Sequence, residues 1–290
     1  MNKKTQHRYL FIASLLLALG VMVNAAFAAH TWGPYHWARK TPQFTLKLGN
    51  NLSSAWVTYL TRTSFDWSNP PSGSTPLLTT IVAGARNNCA MVPGTTQVCN
   101  SNYGKNGWLG LASINIVGGV HITQGSAKMN DSYFLTSTYN NPNQRLHVMC
   151  QEIAHTFGLD HQSTDGSSQN SCMDYFSNTG ANAGSTLSTK PNPHDFAQLN
   201  LIYSHLDTTT TVSATTATSS SSSNNNGANG RDKSEDSNQW GTLMRQSNNG
   251  RSSEYESFNR DGSITATHVF WTLEAAAKCK GCDHRYEDHQ

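Results

Sequence analysis

The chain has 290 residues, a formal net charge of +2 and only 13% charged residues. Because the charge is close to zero and no basic stripe carries interleaved aromatic residues, nucleic acid is not an expected partner. The length allows one large domain or two small ones, and the six cysteines allow a disulfide framework if the protein is exported.

The beginning of the chain has the pattern of a secretory signal. It opens on the basic sequence Met1–Lys4, continues with an apolar run from Leu10 to Val23, and has small residues on both sides of Phe27. This order predicts a signal peptide over residues 1–28, cleaved near Ala28. The apolar run is shorter than the roughly 20 residues of a membrane span. We therefore expect a secreted, extracellular protein with no stable membrane insertion after cleavage.

Residues 29–207 have the texture of one globular domain. Phe44–Leu48 alternates apolar with polar side chains and predicts a half-buried strand. Leu109–Val117 predicts another strand, which ends or bulges at the glycine pair Gly118-Gly119. Val120–Thr123 predicts a short strand beyond that pair.

Two helices are predicted in the second half of this domain. The first extends from about Pro142 to Phe157, because apolar residues recur there at intervals of three and four. Asn141 suits its N-cap and Gly158 its C-terminal end. The second extends over residues 194–205, with an acidic residue near its N-terminus.

The composition changes after Asp207. Residues 208–238 are rich in Ser, Thr and Asn and predict a flexible linker. Residues 239–273 predict a small C-terminal β-hairpin unit, with short strands at 241–244, 253–258 and 263–271. So few residues rarely form a stable hairpin alone, and we expect the unit to dock elsewhere. Residues 274–290 predict a polar tail containing two cysteines, with a short helical spacer at its start.

One helical segment carries residues suited to metal-dependent hydrolysis. Side chains four apart on a helix can bind one zinc ion together, and Gln151 and His155 have this spacing. Glu152 lies beside the first of them, where a general base is needed. Gly158 permits a sharp turn with positive φ, and the turn brings His161 back as a third ligand. The cofactor predicted from these residues is Zn²⁺.

The same residues resemble a known motif. The sequence is similar to the long zinc motif of the metzincins, which include matrixins, astacins and serralysins, at Glu152-x-x-His155-x-x-Gly158-x-x-His161. Ser171–Tyr175 resembles the methionine turn of those enzymes, with Met173 at its centre. This resemblance covers about residues 29–206 and rests mainly on the two joined motifs.

The resemblance implies a fold and an activity. The fold is α+β: a metzincin-like catalytic domain with a twisted mixed sheet, an active-site helix, a Met-turn and a C-terminal helix, here followed by the small β-hairpin unit. The implied activity is that of a zinc metalloendopeptidase acting on an extended peptide or protein, with Glu152 as general base and Tyr175 near the oxyanion. The strand from Leu109 to Gln124 resembles the edge strand that pairs with substrate. The oligomeric state is not predicted.

The sequence departs from the motif at its first ligand, where Gln151 replaces histidine. An amide oxygen is a weaker zinc ligand than imidazole, so three outcomes stay open: a working peptidase, a feeble one, or an inactive metzincin-like secreted protein that binds peptides or cell-wall material. His147 lies one turn earlier on the same face, and we interpret it as a hydrogen-bond partner of Gln151.

The remaining candidates are cysteines and histidines. Six cysteines allow fifteen pairings, of which we favour Cys89 with Cys99 across a Pro-Gly turn and Cys150 with Cys172, joining the helix to the methionine turn. Cys279 and Cys282 predict a disulfide or half of a second zinc site. Four scattered histidines are interpreted as surface or packing residues: His30, His36, His121 and His194.

Overall fold

A computed structural model describes residues 30–85, 88–212, 236–279, 281–287 and 289. The predicted signal peptide lies outside the described residues, and so do residues 213–235 of the predicted linker. Among the described residues, no helix has both the length and the apolar character needed to cross a membrane.

The fold is α+β, as predicted, and is organised on one mixed sheet. In the described residues the sheet has nine strands in the order β3-β2-β4-β6-β5-β9-β8-β7, with β1 added beside β6. The strands are β1 (His36–Trp37), β2 (Phe44–Asn51), β3 (Leu77–Ala83), β4 (Thr95–Ser101), β5 (Trp108–Val117), β6 (His121–Asn130), β7 (Thr242–Gln246), β8 (Ser252–Phe258) and β9 (Ile264–Trp271).

Strand direction divides the sheet into two halves. The pairs from β3 to β6, and β1 with β6, are parallel. From β6 through β5, β9 and β8 to β7, every pair is antiparallel. The predicted C-terminal hairpin strands therefore extend the sheet of the preceding region, because β9 pairs with β5 along eight residues of register.

Five α-helices accompany the sheet in the described residues. They are α1 (Ser54–Ser68), α2 (Asp131–Phe134), α3 (Pro142–His155), α4 (Pro193–Ile202) and α5 (Leu273–Lys278). Helices α3, α4 and α5 lie close to where the sequence predicts them, whereas α1 has no counterpart among the predicted elements. Helix α3 packs on β5, β6 and α1.

Local chemistry fixes both ends of α3. Asn141 caps the helix by accepting a hydrogen bond from the Gln144 amide at 2.8 Å, and Pro142 follows in the first turn. After the helix, Gly158 has φ +89°, which confirms the predicted sharp turn. The indole N–H of Trp37 donates to the Thr156 carbonyl at 2.8 Å and ties β1 to this turn. The helix is thereby held rigidly against the sheet.

Candidate metal centre

The turn after α3 is pinned by the first residues of the domain. The Trp32 amide donates to the Gly158 carbonyl, and the Asp160 amide donates to the His30 carbonyl, each at 2.8 Å. A Cβ at position 158 would lie 2.0 Å from the Tyr35 carbonyl oxygen, so only glycine fits this close approach. The turn brings His161 back beside His155, with ring centroids 4.7 Å apart.

The rings of His155 and His161 are oriented by partners on their Nδ1 atoms. His155 Nδ1 donates to the Leu159 carbonyl at 2.8 Å. His161 Nδ1 lies 2.9 Å from a carboxylate oxygen of Asp160. An Nδ1–H held in this way leaves a lone pair on Nε2, which is the arrangement seen in metal-binding histidines. The Nε2 atom of His155 is buried and has no hydrogen-bond partner.

A third histidine at this site comes from β9 and was not predicted. The His268 ring lies 3.9 Å from that of His155 and 4.8 Å from that of His161, measured between centroids. One ligand atom from each of the three residues lies within 4.8 Å of the others, so the group could hold a metal ion. The signal in the sequence was weak: His268 stands between Ala266 and Phe270 on the alternating face of a strand, where packing is the usual interpretation.

Glu152 lies against the same group. Its Oε2 atom accepts a hydrogen bond from His268 Nδ1 at 3.2 Å, while Oε1 is buried and has no partner. Gly110 on β5 leaves the space that the carboxylate occupies, since a Cβ there would lie 2.6 Å from Glu152 Oε1. Tyr175 completes the group, with its hydroxyl 2.7 Å from His161 Nε2 and 3.1 Å from His268 Nε2.

Gln151 is tied to the turn below the helix. Its amide nitrogen donates to the carbonyls of Cys172 at 2.8 Å and Asp174 at 2.9 Å. This fixes the carboxamide, yet its Oε1 is buried without a partner. His147 does not bond Gln151 directly: its ring atoms contact Asn178 Oδ1 and the Asp174 carbonyl, each at 3.0 Å. The two side chains instead share the Asp174 carbonyl as acceptor.

The turn around Met173 is built by covalent and polar contacts. The Cys150–Cys172 disulfide joins the turn to α3, as predicted, and Met173 is fully buried. The carboxylate of Asp174 accepts from the Gln169 and Phe176 amides at 2.7 and 2.9 Å. Two further predicted pairs are also bonded, Cys89–Cys99 and Cys279–Cys282.

Burial controls the charges at the site. It raises the pKa of Glu152 well above its usual value and lowers the pKa of His155 and His268 well below theirs. Burial would also raise the pKa of Asp160, but its hydrogen bond to His161 and the charges of His161 and Arg245 outweigh this and lower it. Burial thus favours the neutral imidazole of His155 and of His268, the form that a metal ligand requires.

These observations fit a bound cation. Three residues of α3 each have a buried acceptor atom without a hydrogen-bond partner: Gln151 Oε1, Glu152 Oε1 and His155 Nε2. Buried polar atoms nearly always have partners, and a cation among neutral imidazoles, an amide oxygen and a carboxylate would satisfy acceptors of this kind.

The centre is closed in this structure. Glu152 and His268 are fully buried, and His161, the most exposed of the three histidines, has 8% of its surface exposed. The cover is β9, which places His268 opposite Ala112 of β5. Strand β5, expected to be an edge that receives substrate, is therefore paired on both sides by the chain itself.

Comparison of the sequence with protein-family models and with curated proteins finds no match.

Proposed function

We propose that this protein is a secreted zinc metalloendopeptidase of the metzincin type. The observation that carries the proposal is the set of three unpaired buried acceptors on α3, together with the Nδ1 atoms of His155 and His161, which are already held. The predicted signal peptide and the three disulfides support export. The metal would be held by His155 and His161, with His268 as the third protein ligand in the closed form and Gln151 Oε1 as the alternative.

Each remaining residue has a role that follows from its contacts. A bound zinc ion supplies Lewis acidity toward water and a scissile carbonyl. Glu152, buried and with a raised pKa, takes a proton from water and returns it to the leaving amine. Tyr175 keeps its hydroxyl proton at neutral pH, because burial raises its pKa well above the usual value, so it can donate a hydrogen bond to an oxyanion. Gly110 leaves the space for the Glu152 carboxylate.

In the closed form, β9 stands where an extended substrate would pair with β5. It runs antiparallel to β5 and directs His268 at the centre, so the segment occupies the cleft as a bound peptide would. Peptide cleavage by this centre requires that β9 be displaced. This arrangement predicts low activity for the intact chain.

The closed centre also favours a second candidate, a metal-binding protein without peptidase activity. Two faces of β9 are buried, since Ala266 and Phe270 belong to the main core and Val269 to a second apolar cluster. A strand held on both faces is costly to displace. In this alternative, the three histidines stabilise the fold and Glu152 only accepts a hydrogen bond from His268.

The test measures bound zinc and casein cleavage by the full chain, with and without chelator. The zinc bound at this centre is measured as the zinc content of the full chain minus that of the His161→Ala variant. We expect Glu152→Gln to keep that zinc and to abolish chelator-sensitive cleavage, while the control Glu287→Gln, in the C-terminal tail, changes neither. Full zinc with no cleavage by the unsubstituted chain would support the second candidate; absence of the His161-dependent zinc would refute both.

The ligand role of His268 is tested by moving the imidazole to the helix. His268→Ala removes one ring, and we expect zinc at the centre to be lost. Adding Gln151→His to that variant places two histidines four residues apart on α3, and we expect zinc to return and cleavage to rise above that of the unsubstituted chain. If His268→Ala retains full zinc affinity, Gln151 is sufficient and the strand acts only as a cover.

A further inference from the structure

A second cluster of metal-binding side chains lies outside the proposed catalytic centre. It consists of His36 on β1, His121 at the start of β6, and His205 and Asp207 in the segment after α4. The sequence suggests no relation among them, since the four residues span 171 positions. The fold joins them because His36 and His121 are direct partners in the parallel β1–β6 pair.

The separations measured from Asp207 Oδ1, and the one between His36 and His205, are close to those of a tetrahedral zinc site. The Nε2 atoms of His36, His121 and His205 lie 3.4, 3.2 and 3.6 Å from Asp207 Oδ1. His36 Nε2 and His205 Nε2 are 3.2 Å apart. Four ligands at about 2.0–2.1 Å from a central zinc ion would be separated by about 3.4 Å. The four separations match the edges of such a site, and His36, His121 and Asp207 form a group that could hold a metal ion.

The side chains are held in the orientation that metal binding needs. His36 Nδ1 donates to the Pro34 carbonyl at 2.9 Å, which leaves the lone pair on Nε2. Asp207 Oδ2 accepts from the Arg39 amide at 2.9 Å, which directs Oδ1 at the histidines. The Asp207 amide in turn donates to the Arg39 carbonyl at 2.9 Å. Contacts with the main chain thus fix both ligands independently of any ion.

Hydrogen bonding among neutral side chains leaves the contact between His36 and Asp207 unexplained. With its single proton on Nδ1, a neutral His36 presents a lone pair to Asp207 Oδ1 at 3.4 Å, so this contact brings two acceptors together. The same carboxylate oxygen also lies within 3.2 and 3.6 Å of the imidazoles of His121 and His205. A divalent cation at the centre satisfies all four lone pairs together, and one carboxylate with three neutral imidazoles is a ligand set that suits zinc.

We propose that His36, His121, His205 and Asp207 form a structural zinc site. Four protein ligands fill a tetrahedral shell and leave no position for water, which is the mark of a structural rather than a catalytic zinc. The site fastens the segment after α4 to β1 and β6. The side chains of His121 and His205 are 29% and 53% exposed, which provides a path for the ion.

The chelator-treated full chain is titrated at neutral pH with Zn²⁺ in competition with a chromophoric chelator. A second titration uses Co²⁺, whose binding is followed by visible absorption. We expect the full chain to bind one equivalent of metal at this cluster. In His205→Ala, whose exposed ring can be removed without disturbing the core, that binding should be lost or its affinity lowered at least 100-fold. Asp207→Asn keeps an acceptor for the Arg39 amide and should weaken the same equivalent. His289→Ala, outside the cluster, is the matched control and should bind as the full chain does.

A thermal readout separates this site from the catalytic centre. Zn²⁺ should raise the Tm of the full chain by several degrees more than that of His205→Ala, whether or not peptides are cleaved. Equal zinc stoichiometry and equal thermal shifts in the full chain, His205→Ala and Asp207→Asn would overturn the proposal. So would a Co²⁺ spectrum with no tetrahedral component dependent on His205.

Discussion

Removing the Cys150–Cys172 disulfide should weaken both the fold and the metal centre. The bond closes a loop over a sequence separation of 22. In the chain-entropy account, such a closure destabilises the unfolded state by about 3.4 kcal/mol at 25 °C. Because both sulfur atoms lie in the core, alanine is the suitable replacement. We expect Cys150→Ala/Cys172→Ala to lower the free energy of unfolding by roughly 3 kcal/mol.

The assay is urea unfolding followed by tryptophan fluorescence, since the Trp67 indole donates to the Cys150 carbonyl at 3.3 Å. The matched control is Cys89→Ala/Cys99→Ala, whose separation of 10 predicts a smaller loss of about 2.7 kcal/mol. Only the first pair ties α3 to the Met173 turn, so only its removal should also weaken zinc binding. Equal effects of both removals on zinc affinity, or a loss under about 1 kcal/mol for the first pair, would refute this reasoning.

Three further changes test the surroundings of the centre. Asp195→Asn should flatten the pH dependence of stability, because burial raises the pKa of Asp195 to about 7. The stability that the protonated Asp195 contributes is full below pH about 4 and is lost as the pH rises through about 7. Thermal unfolding measured across that pH range checks the prediction. Asp160→Asn should lower zinc affinity by about 10–100-fold, because Asp160 orients His161; unchanged affinity in a competition titration would exclude that role. Gly158→Ala should cost at least about 1–3 kcal/mol in urea unfolding, from the positive φ and the approach of Tyr35; a neutral effect would contradict the geometry of the turn.

Local patterns predicted the helix that carries the site. The Asn141 cap, the apolar spacing and Gly158 are all short-range signals, and α3 lies where they place it. Helix α1 was missed although Trp56, Leu60 and Trp67 recur on its buried face at helical intervals. The pairs Cys89–Cys99 and Cys150–Cys172 could also be predicted from the sequence, since cysteines close together in the chain limit the possible pairings.

Long-range pairing was beyond such reasoning. His268 reaches the centre only through the β5–β9 register, which pairs it with Ala112, 156 positions earlier in the chain. In the sequence, His36 and His121 have no visible relation, and only the pairing of β1 with β6 places them side by side. Registers of this kind depend on which strand edges remain free after the rest of the sheet forms, and one sequence contains no local signal for that choice.

The position of β9 has a consequence for biosynthesis. This strand is made after β5 and β8, yet it lies between them and completes the middle of the antiparallel half. Such non-local pairing delays the completion of the sheet until residue 271 has been made. The nascent chain consequently exposes an unpaired β5 edge, with its apolar neighbours, until β9 has been synthesised. Premature termination before residue 264 would leave that edge open to pairing with other chains, and aggregation is the expected fate of the truncated product.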